Sequence, residues 1–153
     1  MPARLLCGVE RWKVKTLGDH PRLLRAKETT IEFLIGRPAP QPLPGTRLPF
    51  ERQVFRVVAA VTLVRPEDDG DLHLVLQDEA GRTMIAEAPQ ATCDTFATRT
   101  RRAQMAAARA DVRVCQRAIL AGVAFFDFNH GQTGVAPNAI ELHPILGFQC
   151  LTA

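Results

Sequence analysis

The sequence predicts an all-β fold: a small five-stranded Greek-key barrel with one helix between its third and fourth strands, and an N-terminal arm laid against it. Three observations predict it. From Glu51 onward, apolar runs of strand length alternate with turns marked by glycine, proline and aspartate. Only one stretch has helical composition, and it falls after the third run. A proline-rich segment separates all of this from a short charged arm. A chain of 153 residues with 46% hydrophobic content can bury one real core, and one domain is the expectation.

The division is an arm at 1–36, a connector at 37–50 and a barrel domain at 51–153. In the arm, Glu10 to Thr16 alternates charged and larger apolar residues, and Thr29 to Ile35 fits one or two helical turns capped by Thr29 or Thr30. The connector, RPAPQPLPGTRLPF, has five prolines and a glycine, which deny it both helix and central-strand hydrogen bonding. Gln53 to Val64 is β-branched and aliphatic and ends at Pro66, as expected of a long, curved first strand. An acidic turn, Glu67 to Asp71, leads into Leu72, Leu74 and Leu76 alternating with His73, Val75 and Gln77, a second strand with one buried face. Asp78-Glu79-Ala80-Gly81 is a hairpin turn, and Arg82 to Ala88 returns as the third strand before Pro89.

Asp94 is a candidate cap for a helix over Thr95 to Asp111, with Phe96, Ala103, Ala107 and Ala110 near the spacing of an apolar face. Arg113 to Asp127 reads as the fourth strand, Asn129 to Asn138 as a polar loop, and Ala139 to Cys150 as the fifth. Pro144 fits there if its missing donor faces away from a partner strand. Three meandering strands, a helix and two strands is the order of oligonucleotide/oligosaccharide-binding (OB) barrels.

A net charge of +3 is too mild to select a polyanionic partner. No apolar run is long enough to span a membrane, and no basic, apolar and small-residue leader opens the chain. That implies a cytoplasmic protein, or an exported one if its true start lies upstream. The four cysteines lack CxxC spacing, so no zinc or thioredoxin-like framework follows. Cys115 and Cys150 sit among apolar residues as small core side chains; Cys7 and Cys93 stand in irregular segments where a disulfide between them is an open alternative.

Cys7 to Leu17, Asp69 to Leu76, Thr83 to Glu87, and Gly122 to Asp127 running on through the HGQTGVAPN…ELHP cassette to Pro144 together resemble a widespread family of uncharacterised bacterial proteins, many of them exported. The resemblance covers most of the chain outside the connector and the helix, and implies no activity.

Two constellations carry chemistry. Asp69, Asp71 and His73 lie at a loop-to-strand junction, and Asp71 and His73 share a face because side chains alternate along a strand. Such a turn can hold a divalent cation, and the D-G-D element resembles staphylococcal-nuclease-like barrels that use acidic groups there for a metal ion and phosphodiester hydrolysis. It also suits an ordinary solvated turn. His130, Gln132, Asn138, Glu141 and His143 form the second set, with Glu141 and His143 on one face of the last strand. The competing reading makes these side chains backbone partners within a long loop. In this topology the first and fourth inter-strand loops flank the usual binding face, which would let Asp69, Asp71 and His130 converge on a metal ion. Trp12 is a candidate stacking residue, or an anchor for the arm. The arginines of the helical region, from Arg99 to Arg113, suit either a phosphate-attracting surface or a solvated face.

No nucleophile elbow, phosphate-binding loop or HExxH pattern occurs. The expected function is therefore a noncatalytic OB-type binding or interaction module, its partner another protein, a nucleic acid or an oligosaccharide, and its one conceivable cofactor a divalent ion. The alternatives are a metal-dependent, nuclease-like hydrolase and a structural component of a larger assembly.

Overall fold

The computed structural model describes residues 7–153. Two short elements precede the barrel, helix α1 (Trp12–Lys15) and strand β1 (Leu24–Glu28), followed by helix α2 (Ile31–Ile35) and a 3-10 turn at Pro49–Arg52. The barrel strands are β2 (Gln53–Pro66), β3 (Leu72–Gln77), β4 (Thr83–Ala88), β5 (Cys115–Phe126) and β6 (Ile140–Thr152), with helix α3 (Arg99–Asp111) between β4 and β5.

Closure follows from the length of β2. Its first half pairs antiparallel with β5, from Val54 opposite Val123 to Val61 opposite Cys115. Its second half pairs with β3, from Ala60 opposite Gln77 to Pro66 opposite Leu72. Register irregularities between Ala59 and Leu63 mark where the strand bends from one partner to the other, as bulges do. Pairing continues from β3 to β4, from β4 to β6 in parallel, and from β6 to β5, which closes the ring. A five-stranded closed barrel with one substantial helix, between its third and fourth strands, is the OB arrangement. The arm also contributes a strand, since β1 runs parallel to β2 at the sheet edge.

The barrel interior is filled by inward alternate positions, among them Phe55, Val57, Leu74, Leu76, Met84, Leu120, Phe126, Ile140 and Leu142. β3 is buried on both faces, not one: His73 and Val75 are as enclosed as Leu74 and Leu76. The reason is that the loop after β5 lies across it. Gly134 is so close that an added Cβ would stand 2.6 Å from a Val75 methyl. The helix likewise differs from its sequence reading. Thr98, not Asp94, caps it by accepting from the Arg101 amide, and the buried face is Met105 and Ala108, while Phe96, Ala103, Ala107 and Ala110 are exposed.

Two disulfides correct the cysteine reading in part. Cys7 pairs with Cys93, tying the arm to the segment before α3. Cys115 and Cys150 are not free core side chains but a second disulfide. It joins the start of β5 to the end of β6, antiparallel neighbours whose ends the barrel brings together.

Candidate functional site

A bulge in β6 creates the centre. Leu142 is opposite Ala124 and Ile145 opposite Gly122, so two residues, His143 and Pro144, face one on β5. Leu142 and Ile145 both point into the barrel, while His143 meets Glu141 and Phe125 on the other face. Pro144 occupies the bulge, where a missing donor breaks no ladder. On β3 and β4, His73 and Glu87 are direct cross-strand partners. Asp71 ends the first inter-strand turn, held by its own amide donating to Asp69 Oδ1 at 3.0 Å.

These side chains converge. His143 Nε2 is 3.5 Å from Asp71 Oδ2, and His143 Nδ1 is 3.4 Å from Glu87 Oε2 and 3.3 Å from Glu141 Oε1. Glu87 uses its other oxygen on His73 Nδ1, at 3.0 Å, and His73 Nε2 donates to the Thr133 carbonyl at 2.8 Å. Glu67 also approaches His73 Nδ1, at 3.3 Å. From the arm, Lys15 reaches Asp127 at 3.6 Å and lies over the Phe125 ring. Asp71 and His143 are 0% exposed, and His73 and Glu141 1%.

Burial decides the protonation states. It pushes Asp71 up to about 8, with the Glu87 charge adding to the effect and His143 opposing it. Burial acts on Glu87 in the same sense, but the His73 hydrogen bond, with His143, a hydrogen bond from Asp71 and Lys15, outweighs it and brings Glu87 down to about 2. The pair therefore divides: Glu87 stays anionic, while Asp71 keeps a proton and offers it to Glu87 in a side-chain hydrogen bond. Glu141 is held well above the usual carboxylate range by burial, then by Glu87 and Asp127, against Lys15. Lys15 is raised despite burial, by Asp127, Glu141, Glu87 and Asp71. His73 is raised too: burial opposes its charge, but Glu87, the Thr133 carbonyl and Glu67 favour it. Geometry agrees, since both ring nitrogens of His73 face acceptors. Among the described residues, no N–H reaches the buried atoms Asp71 Oδ1, Asp71 Oδ2 and His143 Nε2.

Of the residues expected from sequence, Asp71, His73, Glu141 and His143 are together in this centre. Asp69 supports its turn and contributes no ligand atom to it. His130 is exposed, with Glu10 3.3 Å away as its partner. Gln132 works inside its loop, accepting from the His130 amide and donating to the Phe128 carbonyl. Asn138 clamps the end of α2 by donating to the Leu34 and Arg37 carbonyls, at 2.8 and 2.7 Å. Trp12 donates to the Cys93 carbonyl and packs on Gly8, beside the Cys7–Cys93 link.

Sequence reasoning missed Glu87, Lys15 and Asp127. It also missed the buried Arg11–Glu51 pair beside the centre, in which Arg11 donates to both Glu51 oxygens and to the Phe126, Pro44 and Thr46 carbonyls. For Glu87 a signal existed. The Asp78–Gly81 hairpin sets Gln77 opposite Thr83, and counting back along both strands sets His73 opposite Glu87.

No protein-family model matches the chain, and no curated protein matches it. Among solved structures it is similar to a chain described as a "putative aspartyl-tRNA synthetase" from Leishmania major Friedlin, at 14% identity and a TM-score of 0.45, over 82% of this chain and 21% of that one. The chain thus spans about a fifth of that protein's length. Strand order and closure define the barrel independently of this likeness. No helix among the described residues is long and apolar enough to cross a membrane.

Proposed function

We propose that this chain is a noncatalytic binding module of OB type, acting through the barrel face between the turn 67–71 and the loop 127–139, and that it belongs to the exported bacterial family it resembles. The observation that carries the binding reading is the trio of buried polar atoms on Asp71 and His143 that no N–H among the described residues reaches. A barrel does not bury such groups at no cost: an unsatisfied buried polar group costs about 1–3 kcal/mol, which a proton or a small ion there would recover. The two disulfides favour an oxidising compartment and hence export.

The hydrolase reading draws on the same carboxylates and imidazoles. Against it stands their enclosure: with Asp71 and His143 0% exposed, a phosphodiester does not reach them in this structure. The test is a pair of measurements on the disulfide-bonded chain. Amide NMR spectra with added divalent ions, oligonucleotides and oligosaccharides should show shifts concentrated at 67–71 and 127–139. DNA, RNA and bis-p-nitrophenyl phosphate should be turned over no faster than by Asp71→Asn. Turnover that disappears in Asp71→Asn would replace the module with the hydrolase.

A further inference from the structure

We infer that Asp71, Glu87 and His143 form a site for one divalent cation of the Zn²⁺ type, on the barrel face between the turn 67–71 and the loop 127–139. This deepens the reading of that face as a binding face and rests on it.

The donor atoms are already close. One ligand atom from each of the three residues lies within 4.8 Å of the others. The 3.5 Å from His143 Nε2 to Asp71 Oδ2 is near the edge of a tetrahedron, about 3.3 Å for bonds of 2.0–2.1 Å. A carboxyl oxygen and a ring nitrogen facing each other at this distance are held by a proton or by a cation between them. Nδ1 faces Glu141 Oε1 at 3.3 Å and Glu87 Oε2 at 3.4 Å, which favours the tautomer with its proton on Nδ1; Nε2 then presents a lone pair to Asp71, and no N–H among the described residues reaches the Asp71 oxygens.

The surroundings have the form of a second shell. A ligating histidine commonly donates its other ring N–H to a carboxylate, as His143 does to Glu141. Glu87 is oriented by His73 through Oε1, its Oε2, 3.4 Å from His143 Nδ1, is the oxygen that would turn to the ion, and His73 is itself fixed by the Thr133 carbonyl. A second grouping, Glu67, His73 and Glu87, also brings ligand atoms within 4.8 Å. It is the poorer site, because both His73 nitrogens already have partners and no lone pair remains.

The ligand set selects the ion. Calcium takes six to eight oxygens and magnesium an octahedral shell with several waters, more than a trio offers in which Asp71 and His143 are 0% exposed and the Glu87 side chain 12%. Zinc is content with four ligands, three of them from protein, and accepts imidazole and carboxylate together.

The test uses the full disulfide-bonded chain, stripped with chelator under mild denaturant and refolded with one equivalent of zinc or cobalt. Metal analysis after desalting should find one ion per chain, and the cobalt form should show the visible absorption of a four-coordinate centre. Asp71→Asn and His143→Gln should each weaken zinc binding at least tenfold, while His130→Ala, which touches none of the ligand atoms, should retain it. Fewer than about one ion per ten chains, or full binding by His143→Gln, overturns the inference. If the variants fold poorly, the cobalt spectrum of the unaltered chain decides: six-coordinate, weakly absorbing cobalt overturns it as well. A failure here with amide shifts still caused by another ligand at 67–71 and 127–139 would remove the ion and keep the binding face. A chain that responds to nothing at that face would lose both.

Discussion

His143 Nε2 stands 3.5 Å from Asp71 Oδ2, both residues fully enclosed and neither atom reached by an N–H among the described residues. The two are 72 positions apart in numbering, and the β6 bulge together with the first inter-strand turn brings them face to face. An arrangement this costly needs a proton or a cation to hold it, and its behaviour with pH should show it.

In the metal-free protein, Asp71 has a folded pKa of about 8 against 3.8 unperturbed, faced by Glu87, His143 and Asp69. A raised pKa makes its contribution to stability complete below 3.8 and lost as pH rises through 8. Glu87 works in the opposite sense: lowered from 4.5 to about 2, it contributes above 4.5 and fails as pH falls through 2. Asp71→Asn cannot lose a proton, so its stability relative to the unaltered chain should climb steadily from pH 5 to pH 8. Urea midpoints in chelator across that range check this; a flat difference would show that Asp71 is not the proton holder.

The Arg11–Glu51 pair is sealed, with side chains 2% and 0% exposed. Removing one member strands the other charge, so Glu51→Gln and Arg11→Met should each destabilise by about 3–5 kcal/mol in chemical denaturation. The double variant should cost clearly less than the sum, because neither charge is then left alone.

Gly134 and Gly131 both have left-handed backbone, at φ +80° and +73°, but only Gly134 is crowded. Gly131→Ala should cost about 1 kcal/mol, the backbone penalty alone. Gly134→Ala adds a clash with Val75 and should cost at least about 2 kcal/mol. It should also weaken the His73–Thr133 hydrogen bond, read from the His73 ring proton by NMR.

Cys115 and Cys150 are separated by 35 positions, and losing their link frees the ends of β5 and β6 in the unfolded chain. Cys115→Ala/Cys150→Ala should lower stability by roughly 3–4 kcal/mol with the barrel intact, measured by denaturation with circular dichroism.

Much of this was legible in the sequence for definite reasons. Period-two alternation fixed Asp71 with His73 and Glu141 with His143 on common faces, and the OB strand order followed from where the helix falls. The hairpin turn encoded the His73–Glu87 pairing, although only to a reader who counted register from it. Other features depend on closure and have no local trace. Arg11 meets Glu51, and Lys15 meets Asp127, only because the arm crosses the finished barrel. Cys115 looks like a core residue in its apolar run, and becomes a disulfide partner only when β5 and β6 lie side by side. His130 and Gln132 have the chemistry of a site but spend it on Glu10 and on their own loop.

The most direct test of the account is anomalous diffraction at the zinc absorption edge from crystals of the disulfide-bonded chain refolded with one equivalent of zinc. The account predicts one strong peak, bonded to Asp71, Glu87 and His143 at about 2.0–2.2 Å. A difference map with no peak between these residues, or zinc found only at surface groups such as His130 and Glu10, would contradict it.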